Sequence, residues 1–251
     1  MAKKITIAGH KGGTAKTVSA ISVSSALARG GKQTLLVDLD PQGHSTLGLG
    51  VEIGDGEFTL RDLFTEPPKP VTQVIKETRV PGLRILPSDI RLARVAQSLY
   101  MRPKREELLK RALQPAEREF DFIVMDCAPS LGVLTEAGIA AADFIIVPCL
   151  TEARAADALQ DLLEVIEVIK GEAFDKWRIL LTKFDTRKTV TIEAVMAALE
   201  PWKDKILKTV IPQSEPLNQA QIERTDIHSF DPKSKGALAY QELTKEILTH
   251  A

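Results

Sequence analysis

The sequence of 251 residues has little of several features that mark whole classes of proteins. Its two cysteines, Cys127 and Cys149, lie far apart in apolar surroundings, so we expect buried thiols and neither a disulfide nor a metal site. No apolar run approaches the length of a membrane span, and no secretory leader or internal repeat is recognisable. The formal net charge of −1 offers no overall attraction to nucleic acid. These features predict a cytoplasmic protein that binds its ligands at local sites.

The sequence does contain enough apolar material for a large core, with 44% hydrophobic residues and no linker rich in Pro, Gly or Ser. We therefore expect one domain over residues 1–251. Strand-like segments alternate with helical patterns, which predicts a single-domain α/β fold with a doubly wound, mainly parallel sheet and helices on both faces. The irregular segment 51–81 should hold a short helix near 60–64, and 152–170 a long amphipathic one. Strands are predicted near residues 4–9, 34–39, 83–87, 121–126, 143–148, 177–182 and 206–211.

The most informative segment is a glycine-rich run between the first predicted strand and a helix of small residues. Residues 9–17 read GHKGGTAKT. Glycines let the backbone approach a polyphosphate with its N–H groups turned inward, Lys16 supplies charge for the β- and γ-phosphates, and the Thr17 hydroxyl suits Mg²⁺. The strict P-loop pattern requires glycine where His10 and Ala15 stand. The alternative interpretation is a strand-to-helix turn that binds no ligand.

Two further predicted strands end in acids where a nucleotide site needs them. One ends with Asp38 and Asp40, whose spacing of two residues puts both side chains on the same face of the strand. The other ends with Asp126, followed by CAPSLG. Ligands of open parallel sheets bind beyond the carboxyl ends of the strands, so these acids and the glycine-rich loop can meet around one magnesium nucleotide. Taken singly, each aspartate could instead cap a helix or form a turn.

Together these segments resemble the motifs of the ParA/MinD group of ATPases. The loop is similar to the deviant Walker A motif KGGxGK[ST], with Lys11 as the additional lysine and Ala15 in place of a glycine. The strand ends resemble the DxDPQG and DxxPSLG motifs of the group. Residues 181–187 (LTKFDTR) and 229–237 (SFDPKSKGA) resemble segments of ParA-type partition proteins, so the resemblance spans almost the whole chain and favours that branch.

The resemblance implies a P-loop ATPase that takes ATP and Mg²⁺ and closes into a homodimer around its nucleotides. It gives catalytic roles to Lys16, to Lys11 acting on the partner's nucleotide, and to Asp40, which would position the attacking water. If position 15 needs a positive φ, the methyl group of Ala15 costs about 1–2 kcal/mol and would alter ATP affinity or turnover. The implied nucleotide-binding residues are Lys11, Gly12, Gly13, Thr14, Ala15, Lys16, Thr17, Val18 and Pro212. The implied Mg²⁺-binding residues are Thr17, Asp38 and Asp126, the two aspartates mainly through water.

The resemblance also implies that the ATP dimer binds non-specific DNA on the nucleoid and that a ParB-like or cargo-bound activator stimulates hydrolysis. The sequence departs most from the family here, because Gln213 and Pro216 stand where related proteins commonly carry arginines. A second basic stretch, within residues 91–111, has few acids in its own sequence. Either cluster could instead be a solvated helix face. The candidate DNA-binding residues are Arg187, Lys188, Lys203, Arg224, Lys233 and Lys235.

Three alternatives stay open at this point. A MinD-like membrane-positioning ATPase should end in a basic amphipathic helix on lipid, whereas residues 237–251 predict a packed helix with Leu238, Leu243, Ile247 and Leu248 buried. An iron–sulfur carrier of related type should show closely spaced cysteines, which this sequence does not have. A nucleotide-gated assembly protein with negligible hydrolysis would use Ala15 to favour a stable ATP dimer.

Overall fold

One mainly parallel sheet organises the protein, whose computed structural model describes residues 1–152 and 155–250. Its strands are β1 (Lys3–Ile7), β2 (Thr34–Asp38), β3 (Lys76–Glu77), β4 (Leu83–Leu86), β5 (Phe122–Asp126), β6 (Phe144–Leu150) and β7 (Trp177–Thr182). In the described residues the order of these seven strands is β3-β4-β2-β5-β1-β6-β7. All neighbours pair in parallel except β3 with β4. The predicted α/β class and six of the predicted strands are confirmed.

The seventh predicted strand, 206–211, is wrong. This segment forms isolated bridges near its two ends and no continuous ladder. The backbone N–H groups of Lys208 and Thr209 donate to the Glu246 carboxylate at 2.8 and 2.9 Å. Those of Leu207 and Ile211 still donate to carbonyls of β7, so the helix side chain interrupts the pairing between them. Sequence reasoning also missed β3, a two-residue antiparallel edge strand inside the segment that we expected to be irregular.

Helices cover both faces of the sheet. The α-helices of the described residues are α1 (Lys16–Arg29), α2 (His44–Gly48), α3 (Leu92–Leu99), α4 (Leu108–Leu113), α5 (Val133–Ala141), α6 (Ala155–Lys170), α7 (Thr189–Ala198), α8 (Glu215–Ile222), α9 (Ile227–Phe230) and α10 (Lys235–His250). Short 3-10 helices are Leu60–Leu63, Val71–Gln73, Arg105–Glu107, Ala116–Arg118 and Glu200–Lys205. The first of these confirms the helix predicted near 60–64. The helix predicted over 152–170 is confirmed from residue 155 onward; residue 152 is a bend, and residues 153 and 154 lie outside the described residues.

Two apolar layers hold these helices against the sheet. Alternate strand residues enter opposite layers: on β5, Ile123 and Met125 belong to the layer with α4, α5 and α6, whereas Phe122 and Val124 belong to the layer with α1 and α10. Strands buried on both faces read as continuous apolar runs, which is why the sequence located them well. Both cysteines are buried and free, as predicted.

The last described helix, α10, packs on the core as predicted, with Leu243 and Ile247 buried, but the other two residues that we expected on this face are not. Tyr240, Leu243 and Ile247 are buried at helical spacing. Leu238 and Leu248 lie outside that stripe and are 50% and 45% exposed, so the prediction that they are buried is wrong. Within the described chain, we find no helix with the length and apolar character needed to span a membrane.

Candidate nucleotide-binding site

The loop between β1 and α1 adopts a backbone that favours glycine at two positions. Gly13 has φ 75° and Ala15 has φ 67° with ψ 27°, both in the left-handed region. A glycine enters this region freely, whereas the Cβ of Ala15 costs about 1–2 kcal/mol. Position 15 therefore does need a positive φ, and the loop contains a local source of strain at its junction with α1.

Hydrogen bonds inside the loop hold it in a curled form around Lys16. The ammonium of Lys16 donates to the Lys11 carbonyl at 2.9 Å, and Thr14 Oγ1 donates to the same oxygen at 3.3 Å. Thr182 Oγ1, at the end of β7, donates to the Thr14 carbonyl at 3.1 Å. Burial lowers the pKa of Lys16, while the negative charges of Asp126 and Asp40 oppose that shift. The lysine thus lies beside carboxylates at the mouth of the loop.

A cavity of about 800 Å³ opens above this loop, and we call it the carboxyl-edge cleft. Its volume is in the range of small-molecule sites. Asp40, predicted to orient the attacking water, lines this cleft. Three of the predicted nucleotide-binding residues, Lys11, Gly12 and Pro212, do not. Pro212 lies in an adjoining groove of about 660 Å³ that shares Asn218 with the cleft. The predicted nucleotide residues that line the cleft are Gly13, Thr14, Ala15, Lys16, Thr17 and Val18.

Lys11 is held outside its own cleft by residues on the β6 side of the sheet. Its ammonium lies 3.2 Å from Glu152 Oε2, and the neighbouring His10 Nδ1 lies 3.0 Å from Asp161 Oδ2 of α6. These side chains are about half exposed, so each ion pair contributes little stability and can be exchanged for another partner. The ammonium of Lys11 is therefore available to a different negative group.

Three acids form a cluster below the cleft. Asp38 and Asp126 are the last residues of β2 and β5 and face each other in register, and Asp40 follows two residues after Asp38. All three are buried. Burial, with the adjacent Asp126 charge as a second cause, raises the pKa of Asp38 to about 7, and burial raises the pKa of Asp126 to about 6. Such a cluster is stabilised by a cation, because a positive charge favours the ionised carboxylates.

The first turn of α2 binds two of these acids directly. Ser45 Oγ donates to Asp126 Oδ2 at 2.7 Å. Thr46 donates to Asp38 Oδ2 twice, from its hydroxyl at 2.7 Å and from its backbone N–H at 2.8 Å. Sequence reasoning missed these hydroxyls, and the available signal was the polar triplet His-Ser-Thr directly after DPQG. The turn therefore fixes the orientation of both strand-terminal carboxylates.

One oxygen of the cluster has no partner among the described residues. Asp126 Oδ1 is buried and makes no hydrogen bond, whereas Oδ2 accepts a hydrogen bond from Ser45 Oγ; the nearby Thr17 opposes the rise that burial causes in the pKa of this carboxyl. Within the described chain no three His, Cys, Asp or Glu side chains form a metal cage. Mg²⁺ does not need one, because it is commonly held by one or two carboxylates, water and substrate phosphates. The oxygen donors of Thr17, Asp38 and Asp126 thus fit Mg²⁺.

The candidate DNA-binding residues do not form one patch. Arg187 and Lys235 line the adjoining groove beside Pro212. The Arg187 guanidinium donates two hydrogen bonds, of 2.9 and 2.8 Å, to the Asp185 carboxylate. These bonds lower the pKa of Asp185 to about 2. Lys188 precedes α7 and Lys233 precedes α10, and both are exposed.

The other two candidates are separated from that group. Arg224 lines the carboxyl-edge cleft, with a left-handed φ of 50°. Lys203 lies beside Glu200 at 2.7 Å, in a 3-10 helix whose last residue, Lys205, contacts Asp175 just before β7 begins. Arg187 follows the carboxyl end of β7. Lys203 therefore lies near the amino ends of the strands, on the side of the sheet opposite to Arg187.

The second basic stretch is mostly neutralised by acids, contrary to our expectation. Four of its five arginines pair with acids, two of which are distant in sequence, and for those two the sequence alone suggested free charge. The ion pairs are Arg91 with Asp89, Arg102 with Glu66, Arg105 with Glu136, and Arg111 with Glu107.

Comparison with known proteins agrees with this geometry. The family described as AAA domain matches residues 2–179. The sporulation initiation inhibitor protein Soj of Bacillus subtilis is 36% identical over 250 residues, covering 98% of both chains. The chromosome-partitioning ATPase Soj of Treponema pallidum is 35% identical over 251 residues, covering 99% of this chain and 98% of that one.

Solved structures are similar over nearly the whole chain. The structure of a cobyrinic acid a,c-diamide synthase from Mycobacterium smegmatis with bound ADP and magnesium has a TM-score of 0.85 at 31% identity, covering 100% of this chain and 95% of that one. The septum site-determining protein MinD of Pyrococcus horikoshii, complexed with Mg-ADP, has a TM-score of 0.81 at 26% identity, covering 98% and 96%. By sequence and by structure, the chain belongs to the ParA/MinD group of P-loop ATPases.

Proposed function

We propose that this chain is an ATP-dependent, dimerising partition or positioning ATPase, acting as one domain over residues 1–251. The observation that carries the proposal is the buried Asp126 carboxylate, with one oxygen unpartnered, close to Lys16 and Thr17, which line a cleft of about 800 Å³. This arrangement supports binding of a nucleotide polyphosphate together with a divalent cation.

ATP would bind with its phosphates against the loop and its base toward the adjoining groove, which contains Pro212. The curled loop supports this orientation, because the Lys16 ammonium can exchange the Lys11 carbonyl for phosphate oxygens. Thr17 would ligate Mg²⁺, with Asp38 and Asp126 acting mainly through water. The bound ion supplies neutralisation of phosphate charge.

Hydrolysis to ADP and phosphate would depend on three side chains. Phosphoryl transfer needs charge stabilisation and an aligned water more than covalent chemistry. Lys16 would stabilise charge on the phosphoryl group within its own subunit, and Asp40 would orient the water. Lys11 would leave Glu152 and act on the partner's nucleotide, which is consistent with its position outside its own cleft.

The dimer would bind non-specific DNA and respond to a ParB-like or cargo-bound activator, so that the protein would be associated with the nucleoid in the cytoplasm. The name of the Treponema pallidum relative, a chromosome-partitioning ATPase, supports this assignment. Arg187 and Lys235 support it from the side of the adjoining groove, with Lys188 and Lys233 nearby in sequence. Arg224 and Lys203 would contribute less, because one faces the cleft and the other lies near the amino ends of the strands.

Two observations weigh the alternatives. The apolar stripe of α10 is buried through Tyr240, Leu243 and Ile247, which disfavours a MinD-like role in which this helix would lie on lipid. The left-handed Ala15 supports a second candidate function, a nucleotide-gated assembly protein with negligible hydrolysis. Turnover at ordinary rates with an activator would eliminate that candidate.

The deciding experiment measures binding to non-specific duplex DNA with ADP, ATP or a non-hydrolysable ATP analogue over a salt series, while light scattering follows dimerisation. We expect binding confined to the ATP dimer and lost steeply with salt, because neutralised phosphates release counterions. ATP-dependent dimers without DNA affinity would contradict the DNA role and point to a membrane or protein scaffold.

A further inference from the structure

We infer that His44 is a positioning residue for ATP hydrolysis, which engages the water-orienting carboxylate of Asp40 when its imidazole is protonated and thereby slows the reaction. The inference rests on the proposed ATPase function. It assigns a role to a side chain that neither the motifs nor the Mg²⁺ site require.

The two oxygens of Asp40 have different surroundings. Oδ1 accepts the backbone N–H of Gln42 at 2.9 Å, while Oδ2 lies 3.5 Å from His44 Nδ1. Oδ2 is therefore the oxygen that can orient a water molecule, and His44 is placed to compete for it. The separation is long for a hydrogen bond between neutral groups, but a positive imidazolium would be drawn to the carboxylate.

The side chains of Asp40 and His44 differ in their exposure to solvent. The Asp40 side chain is 8% exposed and the His44 side chain is 60% exposed, although both line the carboxyl-edge cleft. The imidazole can thus exchange protons with solvent while the carboxylate stays in place.

The backbone holds His44 at this distance. The Gly43 N–H donates to the Asp40 carbonyl at 2.9 Å, and Gly43 has φ 65°. A Cβ at Gly43 would lie 3.0 Å from the Ser88 carbonyl oxygen, so the tight turn depends on glycine. The following residues of α2 are anchored by the hydrogen bonds of Thr46 to Asp38. These contacts fix the backbone of His44 beside Asp40, so the imidazole needs only a rotation of its own side chain to approach or leave the carboxylate.

Charged groups from other elements also face this pair. Lys16 of α1 and Asp126 of β5 interact with Asp40 from below, while Lys183 and Arg224 line the same cleft. These groups are shared by the wild type and by any variant of residue 44. A difference in pH dependence between such proteins therefore isolates the imidazole from the acid cluster.

The test compares ATP hydrolysis by wild type, H44N and H44A at saturating MgATP from pH 6.0 to 8.0. Asparagine keeps a nitrogen donor near the position of Nδ1 but cannot become charged. We expect the wild-type rate to fall about threefold to tenfold more than the H44N rate on going from pH 8.0 to 6.0. H44A should share the shallower profile, so both variants should be faster than wild type at pH 6.0.

The control is H250N, which removes an imidazole stacked on Phe144 away from the cleft and should follow the wild-type profile. Parallel profiles for wild type, H44N and H44A would overturn the inference while leaving the ATPase function intact. A wild type that binds no fluorescent ATP analogue and hydrolyses no ATP would overturn both. A loss of folding in one variant would appear as a lowered Tm at every pH, and the other variant would then decide.

Discussion

The carboxyl-edge cleft and the basic surface near Arg187 differ in how their charges are held. Below the cleft, Asp38 and Asp126 are buried, in register across two strands, and fixed by hydroxyl groups of α2. On the basic surface, Arg187 is 87% exposed and its one described ion pair is with Asp185, two residues away. Buried charges make each substitution costly, whereas exposed charges act weakly and are screened by salt. The cleft should therefore respond to single substitutions and the surface to ionic strength.

The largest effect expected in the cleft is that of Lys11→Gln. Removing a cation supplied across a dimer should lower activator-stimulated turnover by about 10³-fold, with ATP affinity changed much less. The measurement is steady-state hydrolysis beside equilibrium binding of a fluorescent ATP analogue. Lys32→Gln, at an exposed lysine after α1, serves as the matched control. Normal turnover and normal dimers for Lys11→Gln would rule out the role in trans and weaken the contrast with the surface.

Asp40→Ala should follow, with hydrolysis lowered by about 10²-fold or more because water orientation is lost while no phosphate contact is removed. ATP binding should persist, and light scattering should detect a dimer that accumulates with ATP. Asp55→Ala, at an exposed acid outside the cleft, provides the control. An unchanged hydrolysis rate would assign water positioning to another group.

Asp126→Asn tests the cost of burying the acid cluster. Because the folded-state pKa of Asp126 is raised to about 6, above its ordinary value near 3.8, the folded protein retains a proton that the unfolded chain has lost between these values. Without metal, the free energy of unfolding should thus fall as the pH rises from about 4 to 6, and it should stay low at higher pH. At pH 8 in EDTA, Asp126→Asn should gain about 1–3 kcal/mol in urea unfolding and lose Mg²⁺-dependent nucleotide affinity. A variant less stable than wild type at pH 8 would contradict this.

Ala15→Gly should relieve the left-handed backbone and raise the free energy of unfolding by about 0.5–1 kcal/mol, since part of the gain is offset by the flexibility of glycine when unfolded. Ala26→Gly, inside α1, is the matched control and should lower stability by about 1 kcal/mol. Thermal and urea unfolding of both variants make the comparison. Equal losses at the two positions would show that φ at position 15 carries no strain.

The smallest effects belong to the basic surface. Arg187→Ala should weaken DNA binding several-fold at moderate salt and reduce the salt dependence by about one phosphate contact. Lys203→Ala, near the amino ends of the strands and paired with Glu200, should weaken binding much less. Equal losses of DNA affinity for the two variants would mean that DNA contacts are spread around the molecule. The basic surface near Arg187 would then not be a distinct DNA-binding site.

The sequence predicted the place of the candidate nucleotide site well, because its residues directly follow apolar strands that are easy to recognise. Asp38 and Asp126 end apolar strands, and the glycine-rich loop follows another, so the edge where they meet could be inferred before their contacts were known. Segment 206–211 has an apolar pattern typical of a strand, but Glu246 of a distant helix accepts the N–H groups of Lys208 and Thr209 in its middle. The sequence of the segment itself gives no sign of this hydrogen-bond acceptor.

Side-chain partnerships were harder to predict for the same reason. Ser45 and Thr46 read as ordinary turn residues until the order of β2 and β5 in the sheet brings the carboxylates to them. Likewise, Arg102 and Arg105 look unpaired in sequence, although Glu66 and Glu136 neutralise them through the fold. Charge patterns along a chain report composition, whereas pairing depends on tertiary contacts.

The hydrogen bond from the Thr46 backbone N–H to Asp38 has a consequence for observing the site. This amide is buried and bonded to a carboxylate oxygen at 2.8 Å, so its exchange with deuterated solvent requires the first turn of α2 to open. That opening also withdraws Ser45 from Asp126. The exchange rate of one amide proton thus reports how often the carboxylate cluster comes apart, with no ligand or substitution needed.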